Sequence, residues 1–283
     1  MNKKIMTIFA LMFFSMMFVG GRAFAQTGWN TTEASRLIGY QVWSPITGEY
    51  GLGQISDLVI DQSNGRIALV ILSDVPGFGA ERVAVPYGSV VRTSASNFQL
   101  RIPPEKIGFG TPGNEYTNKY VKAMAPGVVP AVIDPGWVAN LYRQYEQFPY
   151  WTEKGEHSLG VFYESSTSMG AKVDLAQGGT AKVDDLVIDP SNGQITFEVL
   201  SNVPGRTGDM FAVPFSMLTR KGETTFALNI TKDKLASAPI FSPYEDLGSR
   251  GYAESVYRYF GLRPYWSQKA PNPYSWGGED QDF

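Results

Sequence analysis

Short apolar runs bounded by turn residues set the pattern of the chain. Leu58-Val59-Ile60 and Ile67 to Leu72 crowd β-branched residues together, which predicts strands. Between them Asp61 can accept backbone N–H bonds two or three residues on, and Asn64-Gly65 supplies the positive-φ positions of a tight hairpin. Arg82 to Val85 reads as another strand, stopped by Pro86, which cannot donate to a ladder. Phe98, Leu100 and Ile102 alternate as one more. With strands near Ile38 to Trp43 and Gln54 to Ile60, the pattern gives five or six short antiparallel strands, a set that closes best as a small barrel without exposed edges. A 3.6-residue period then takes over. Asp134 can cap a helix with Pro135 at its first position, and Trp137, Leu141, Tyr142, Tyr145 and Phe148 form one apolar stripe.

The same pattern returns 128 residues later. Asp57 to Asp61 maps on Asp185 to Asp189, Asn64-Gly65 on Asn192-Gly193, Val75-Pro76-Gly77 on Val203-Pro204-Gly205, and Ala84-Val85-Pro86 on Ala212-Val213-Pro214. The helical block repeats at an offset of 115, Leu141-Tyr142-Arg143 on Val256-Tyr257-Arg258 and Pro149-Tyr150-Trp151 on Pro264-Tyr265-Trp266. One unit is written twice. The expectation is a mainly β protein of two tandem small antiparallel barrels, each followed by a short amphipathic helix and a Pro-Tyr-Trp segment. Residues 26–156 hold the first unit, 157–268 the second, and 269–283 a loose acidic tail. The first copy carries a longer connector over 108–132, the second a Gly-rich loop over 169–179. The central strands differ. Ile67 to Leu72 is apolar on both faces, whereas Thr196 and Glu198 share one face of the second, which predicts a partly wet surface there.

The N-terminus changes the picture of where the protein works. Basic Met1 to Lys4, an uncharged apolar run from Ile5 to Gly20 and Ala23-Phe24-Ala25 carry the marks of a cleaved secretory signal, so the mature chain is expected to start at Gln26 in the periplasm or outside the cell, with no transmembrane span after cleavage. Cleavage removes Lys3, Lys4 and Arg22 and moves the net charge from −3 to −6, which disfavours nucleic acid as a partner. The absence of cysteine excludes disulfides and thiolate metal sites. Stability must come from packed cores, for which 43% hydrophobic and 13% aromatic content suffice.

Gly39-x-x-Val42, Gly48, Gly51-Leu52-Gly53, Asp57 to Asp61, Gly65-Arg66-Ile67 and Val83-Ala84-Val85-Pro86 together resemble the PRC-barrel domain, known from the H subunit of the purple-bacterial photosynthetic reaction centre and from a ribosome-maturation factor. The resemblance runs from Arg36 to Ile107 in the first copy and from Ala181 to Leu235 in the second. It implies a non-catalytic adaptor barrel that docks on larger assemblies, with no active site to carry over. The helix and Pro-Tyr-Trp block lie outside it.

Candidate chemistry is sparse. With no cysteine and a single histidine, His157, neither a thiol mechanism nor a Ser-His pair has redundancy; His157 sits in a polar linker and is read as a surface or capping residue, and no phosphate loop is present. Asp57 and Asp61, four apart on one strand face, are roughly 13 Å apart at about 3.3 Å per residue. A glycosidase pair needs roughly 5 to 9.5 Å. Asp57, Asp61, Asn64 and Gly65, with Asp185, Asp189, Asn192 and Gly193, are therefore read as structural hairpin residues. Neither metal nor cofactor is expected. The candidate contact residues are Tyr150, Trp151, Tyr265 and Trp266, whose rings suit packing or a sugar or peptide face, and Phe78, Arg82 and Arg206 in the loops at one barrel end. The expected function is a non-enzymatic binding or assembly module of the cell envelope with a protein partner, with or without self-association. A carbohydrate- or peptidoglycan-binding protein is the alternative, and an acid-dependent hydrolase the weaker one.

Overall fold

The computed structural model describes residues 29–44, 51–76, 78, 82–94, 97–107, 122–123, 133–151 and 160–267. The signal segment, His157 and the acidic tail lie outside them. The first half runs β1 (Thr32–Glu33), α1 (Ala34–Leu37), β2 (Val42–Trp43), β3 (Gln54–Asp61), β4 (Arg66–Ser73), β5 (Arg82–Pro86), β6 (Val90–Arg92), β7 (Phe98–Leu100), α2 (Pro104–Ile107), β8 (Lys122–Ala123) and α3 (Pro135–Gln144). The second runs β9 (Phe162–Glu164), α4 (Ser165–Ser168), β10 (Lys172–Ala176), β11 (Thr180–Asp189), β12 (Gln194–Ser201), β13 (Phe211–Pro214), β14 (Leu218–Arg220), β15 (Thr225–Thr231), α5 (Lys232–Ala236), α6 (Pro243–Asp246) and α7 (Arg250–Phe260). The fold is mainly β, with curled sheets and a half-barrel: a 12-stranded sheet follows the path β14-β15-β10-β11-β12-β4-β3-β9, and a small one joins β2, β7 and β6.

Both hairpins, β3–β4 and β11–β12, are antiparallel and slip register at matching places, between Ile55 and Asp57 and between Val183 and Asp185, then again at Val59/Ile60 and Val187/Ile188. Each slip adds a bulge that curls the sheet. Not every pairing is antiparallel: β2 runs parallel to β7, and β10 parallel to β15. β10 occupies much of the segment expected to be a Gly-rich loop, because Val173 and Leu175 find a buried face beside Phe226 and Leu228. The expected strand over Ile38 to Trp43 shrinks to Val42–Trp43, since residues 34–37 wind into α1.

The partly wet face expected on the second central strand does not exist. Thr196 and Glu198 are both 0% exposed. Tertiary cover overrides the alternation of β12, which is buried from Ile195 to Leu200 as β4 is from Ile67 to Leu72. On its covered side Tyr257 of α7 reaches in and donates to the Thr196 carbonyl at 3.1 Å, as Tyr142 of α3 donates to that of Ala68 at 2.7 Å. The apolar stripe of α3 is shorter than its sequence period. The helix ends at Gln144, and Phe148 beyond it is 95% exposed.

Each half is completed by the other. β9, at the start of the second half, pairs with β3 of the first (Val59 opposite Glu164), and β1 pairs with β11 of the second (Val187 opposite Glu33). The two registers are related by the repeat. The dyad runs through the β4–β12 contact, where Arg66 faces its counterpart Gln194, Ile67 N–H donates to Gly193 O at 2.9 Å and Ile195 N–H to Gly65 O at 2.7 Å. Such reciprocity defines an isologous interface, here within one chain.

Candidate functional site

The repeated acids are engaged in the fold. Asp57 and Asp185 are not turn residues: both lie at the strand bulges and are buried. Asp57 accepts from Leu58 N–H at 2.7 Å and from Ser165 Oγ and Ser166 N–H at 2.6 and 3.2 Å, capping α4 across the dyad. Asp185 accepts from Leu186 N–H at 2.7 Å and from the Ser35 N–H and hydroxyl, capping α1 in return. Each short helix begins after a glutamate, Glu33 or Glu164, with identical φ −74° and ψ 143°. Glu164 is buried and pairs with Arg82 at 3.0 Å, so Arg82 staples β9 to the first half.

Asp61 and Asp189 sit in the turns with Asn64-Gly65 and Asn192-Gly193. Asp61 takes Ser63 N–H at 2.9 Å and Asn64 Nδ2 at 2.6 Å, and Asp189 takes Ser191 N–H at 3.0 Å and Asn192 Nδ2 at 3.1 Å. The Pro-Tyr-Trp tyrosines close the same turns. Tyr150 donates to Asp61 at 2.8 Å and Tyr265 to Asp189 at 3.0 Å. Burial, and then the facing carboxylate, raise both phenols well above their ordinary range. Trp151 packs edge-on against Tyr142 at 4.8 Å and Trp266 against Tyr257 at 5.1 Å. The four rings are half-buried.

Of the loop candidates, Phe78 is buried. Arg206 binds Asp209 at 2.7 Å and the Ala236 carbonyl at 2.6 Å. The seven candidate contact residues do not converge: Tyr150 and Trp266 alone among them line one cleft.

That cleft, about 1010 Å³, opens along the seam. Tyr87, Arg92, Phe148 and Tyr150 come from the first half; Asp189 to Asn192, Arg250 and Trp266 come from the second, with Trp29 just before β1. Trp29 meets Trp266 edge-on at 4.4 Å, and the Tyr87 hydroxyl donates to the Pro190 carbonyl at 2.9 Å. Trp29, Tyr87 and the two arginines escape a reading of the repeats, which enters Phe148 solely as a member of the helical stripe. For Trp29 and Phe148 the signal is the failure of the repeat: Gly160 stands where the repeat would place a second Trp29, and Arg263 where it would place a second Phe148, whereas Arg92 keeps a counterpart in Arg220.

At Glu198 a buried carboxyl stands where the first copy has a core apolar side chain, Val70. Neither of its oxygens has a hydrogen-bond partner, and burial pushes the carboxyl up to about 8. It adds to the effect of burial in raising the Tyr163 hydroxyl, whose ring lies 4.5 Å from the Arg220 guanidinium. Among the described residues no group of three or more acids or histidines is placed to hold a metal, and no helix is long and apolar enough to cross a membrane.

The curled sheets with a half-barrel and a seam of committed acids are consistent with a small β-barrel class of domain. Residues 30–107 match the family model of the PRC-barrel domain, a match that runs from just before β1 to the end of α2. No curated protein matches the chain.

Proposed function

We propose that the chain is a non-enzymatic, exported binding and assembly module in which two PRC-barrel-like copies, each trailed by a helix and a Pro-Tyr-Trp segment, act as one body in the cell envelope. The observation that carries this reading is the use of the repeated acids. Asp57 and Asp185 cap helices across the dyad, and Asp61 and Asp189 hold turns and tyrosines. A general acid or base needs a lone pair or proton facing substrate; these carboxylates face their own chain. What the duplication preserves is shape.

The test is cross-linking of the tagged full-length protein in intact cells, followed by envelope fractionation. A discrete adduct that excess untagged protein competes away is the expected result. Absence of any competed adduct, or recovery of the protein solely from the cytoplasm, overturns the reading. Mass spectrometry of the recovered protein should show Gln26 as its first residue.

A further inference from the structure

Three side chains of the second half carry buried polar atoms that lack a hydrogen-bond partner among the described residues: both carboxyl oxygens of Glu198, the Tyr163 hydroxyl and Nη1 of Arg220. They come from three strands, β12, β9 and β14, and succeed one another from the core to the surface. Glu198 and Tyr163 are both 0% exposed. The Arg220 guanidinium lies 4.5 Å from the centre of the Tyr163 ring and lines a cleft of about 660 Å³ with Gln62, Val161, Leu218, Lys221 and Glu223. Its Nε donates to the Gly222 carbonyl at 2.8 Å and its Nη2 to that of Glu223 at 2.7 Å, so the guanidinium that covers Tyr163 also holds the β14–β15 turn in shape. The first half has no such arrangement. Val70 stands where the repeat places Glu198, and Thr32 of β1 where it places Tyr163 of β9.

The strands that flank Glu198 offer its charge nothing. In register with it stand Leu186 on β11 and Val213 on β13, both 0% exposed. Tyr163 from β9 is the titratable group it acts on, and the Tyr163 hydroxyl in turn feels Arg220 from β14 and Asp61 from the end of β3. Asp61 is already engaged by Ser63, Asn64 and Tyr150, which leaves Arg220 as the cation of the set. Burial keeps the Glu198 carboxyl protonated up to about 8. Once that proton is lost, a carboxylate in an apolar site needs hydrogen-bond donors and an opposite charge. The Tyr163 hydroxyl and Nη1 of Arg220 are donors without an acceptor. Drawing the guanidinium inward makes it let go of the Gly222 and Glu223 carbonyls, and the turn that walls the cleft loses its brace.

We propose that Glu198, Tyr163 and Arg220 form a proton-operated latch, in which loss of the Glu198 proton to solvent draws Arg220 off the Gly222 and Glu223 carbonyls and releases the β14–β15 turn beside the cleft. The latch goes beyond the assembly reading and does not depend on it, since it needs no partner. The full-length protein, Glu198→Gln and Glu198→Val are digested with trypsin at pH 6 and pH 9. Cutting after Arg220 and Lys221, in the turn, is compared with cutting after Arg143 and Arg258, on α3 and α7. Cleavage of a locally opened segment follows the population of its open form. At pH 9 the parent should therefore be cut in the turn at least about tenfold faster than either variant, while at pH 6 all three should match. Comparison at a single pH cancels the pH dependence of trypsin itself. Tyr163→Phe, which removes a donor and keeps the ring, should move the onset of turn cutting to higher pH. Equal turn rates in the parent and both Glu198 variants at pH 9 overturn the latch. So does an acceleration shared by Arg143 and Arg258, which marks global unfolding, or an onset that Tyr163→Phe leaves in place.

Discussion

Glu198 is the residue whose environment most opposes its chemistry. An unpaired carboxylate inside a protein is costly, so the group keeps its proton. In the unfolded chain it ionises near 4.5, in the folded protein near 8. Between those values the unfolded state loses the proton and the folded state does not. Stability should therefore fall as pH rises from about 4.5 to about 8 and level off above that, by at most about 5 kcal/mol at 1.36 kcal/mol per pKa unit. Urea unfolding at pH 5 and pH 8 measures this slope. Glu198→Gln, which does not titrate, should flatten it, and Glu198→Val, the residue found at position 70, should also make the protein more stable at pH 8. An unchanged slope in Glu198→Gln would place its origin elsewhere. The sequence could not show this burial. Alternation puts a glutamate outside on charge alone, and the elements that cover β12 arrive from far along the chain.

At the scale of elements, hairpins and capped helices were legible because their causes are local. Asp61 with Asn64-Gly65 makes its own turn, and Asp134 with Pro135 starts α3, the Asp134 carboxylate accepting from Gly136 N–H at 2.8 Å. The exchange was not legible. Thr32-Glu33 meets two near-identical hairpin strands, Asp57 to Asp61 and Asp185 to Asp189, and strand propensity cannot say which it joins. The structure shows that β1 and β9 cross over, and the caps that fix them give a direct test. Asp57→Ala leaves Ser165, Ser166 and Leu58 without their acceptor in a buried site, which should cost about 2–4 kcal/mol; Asp185→Ala should cost a similar amount. The dyad itself is tested at Gly65, where φ is +61° and a Cβ would lie 2.8 Å from the Phe215 ring. Gly65→Ala should lower stability by about 2 kcal/mol or more, while Gly248→Ala, with open space around it, should stay within about 0.5 kcal/mol of the parent. Thermal melts of the variants compare both pairs.

Over the whole molecule, the halves cannot be taken apart without uncapping α1 and α4 and breaking the β4–β12 contact. Unfolding should be one cooperative transition, with calorimetric and van't Hoff enthalpies in agreement. A protease site placed within residues 152–159 and then cut should give two fragments that elute together on gel filtration and melt together; fragments that separate under native conditions would refute the exchange as a source of cohesion. The unlike residues that the two halves bring to this seam have a further consequence. In a dimer of two separate chains, every substitution would appear twice, and dilution below the dissociation constant would empty the seam. Here a single gene encodes both sides, so Trp29 and Phe148 each occur once, with Gly160 and Arg263 at the repeat-related positions. The peptide connection also holds each half at an effective concentration on the order of millimolar for the other, which lets the seam persist however few molecules are present.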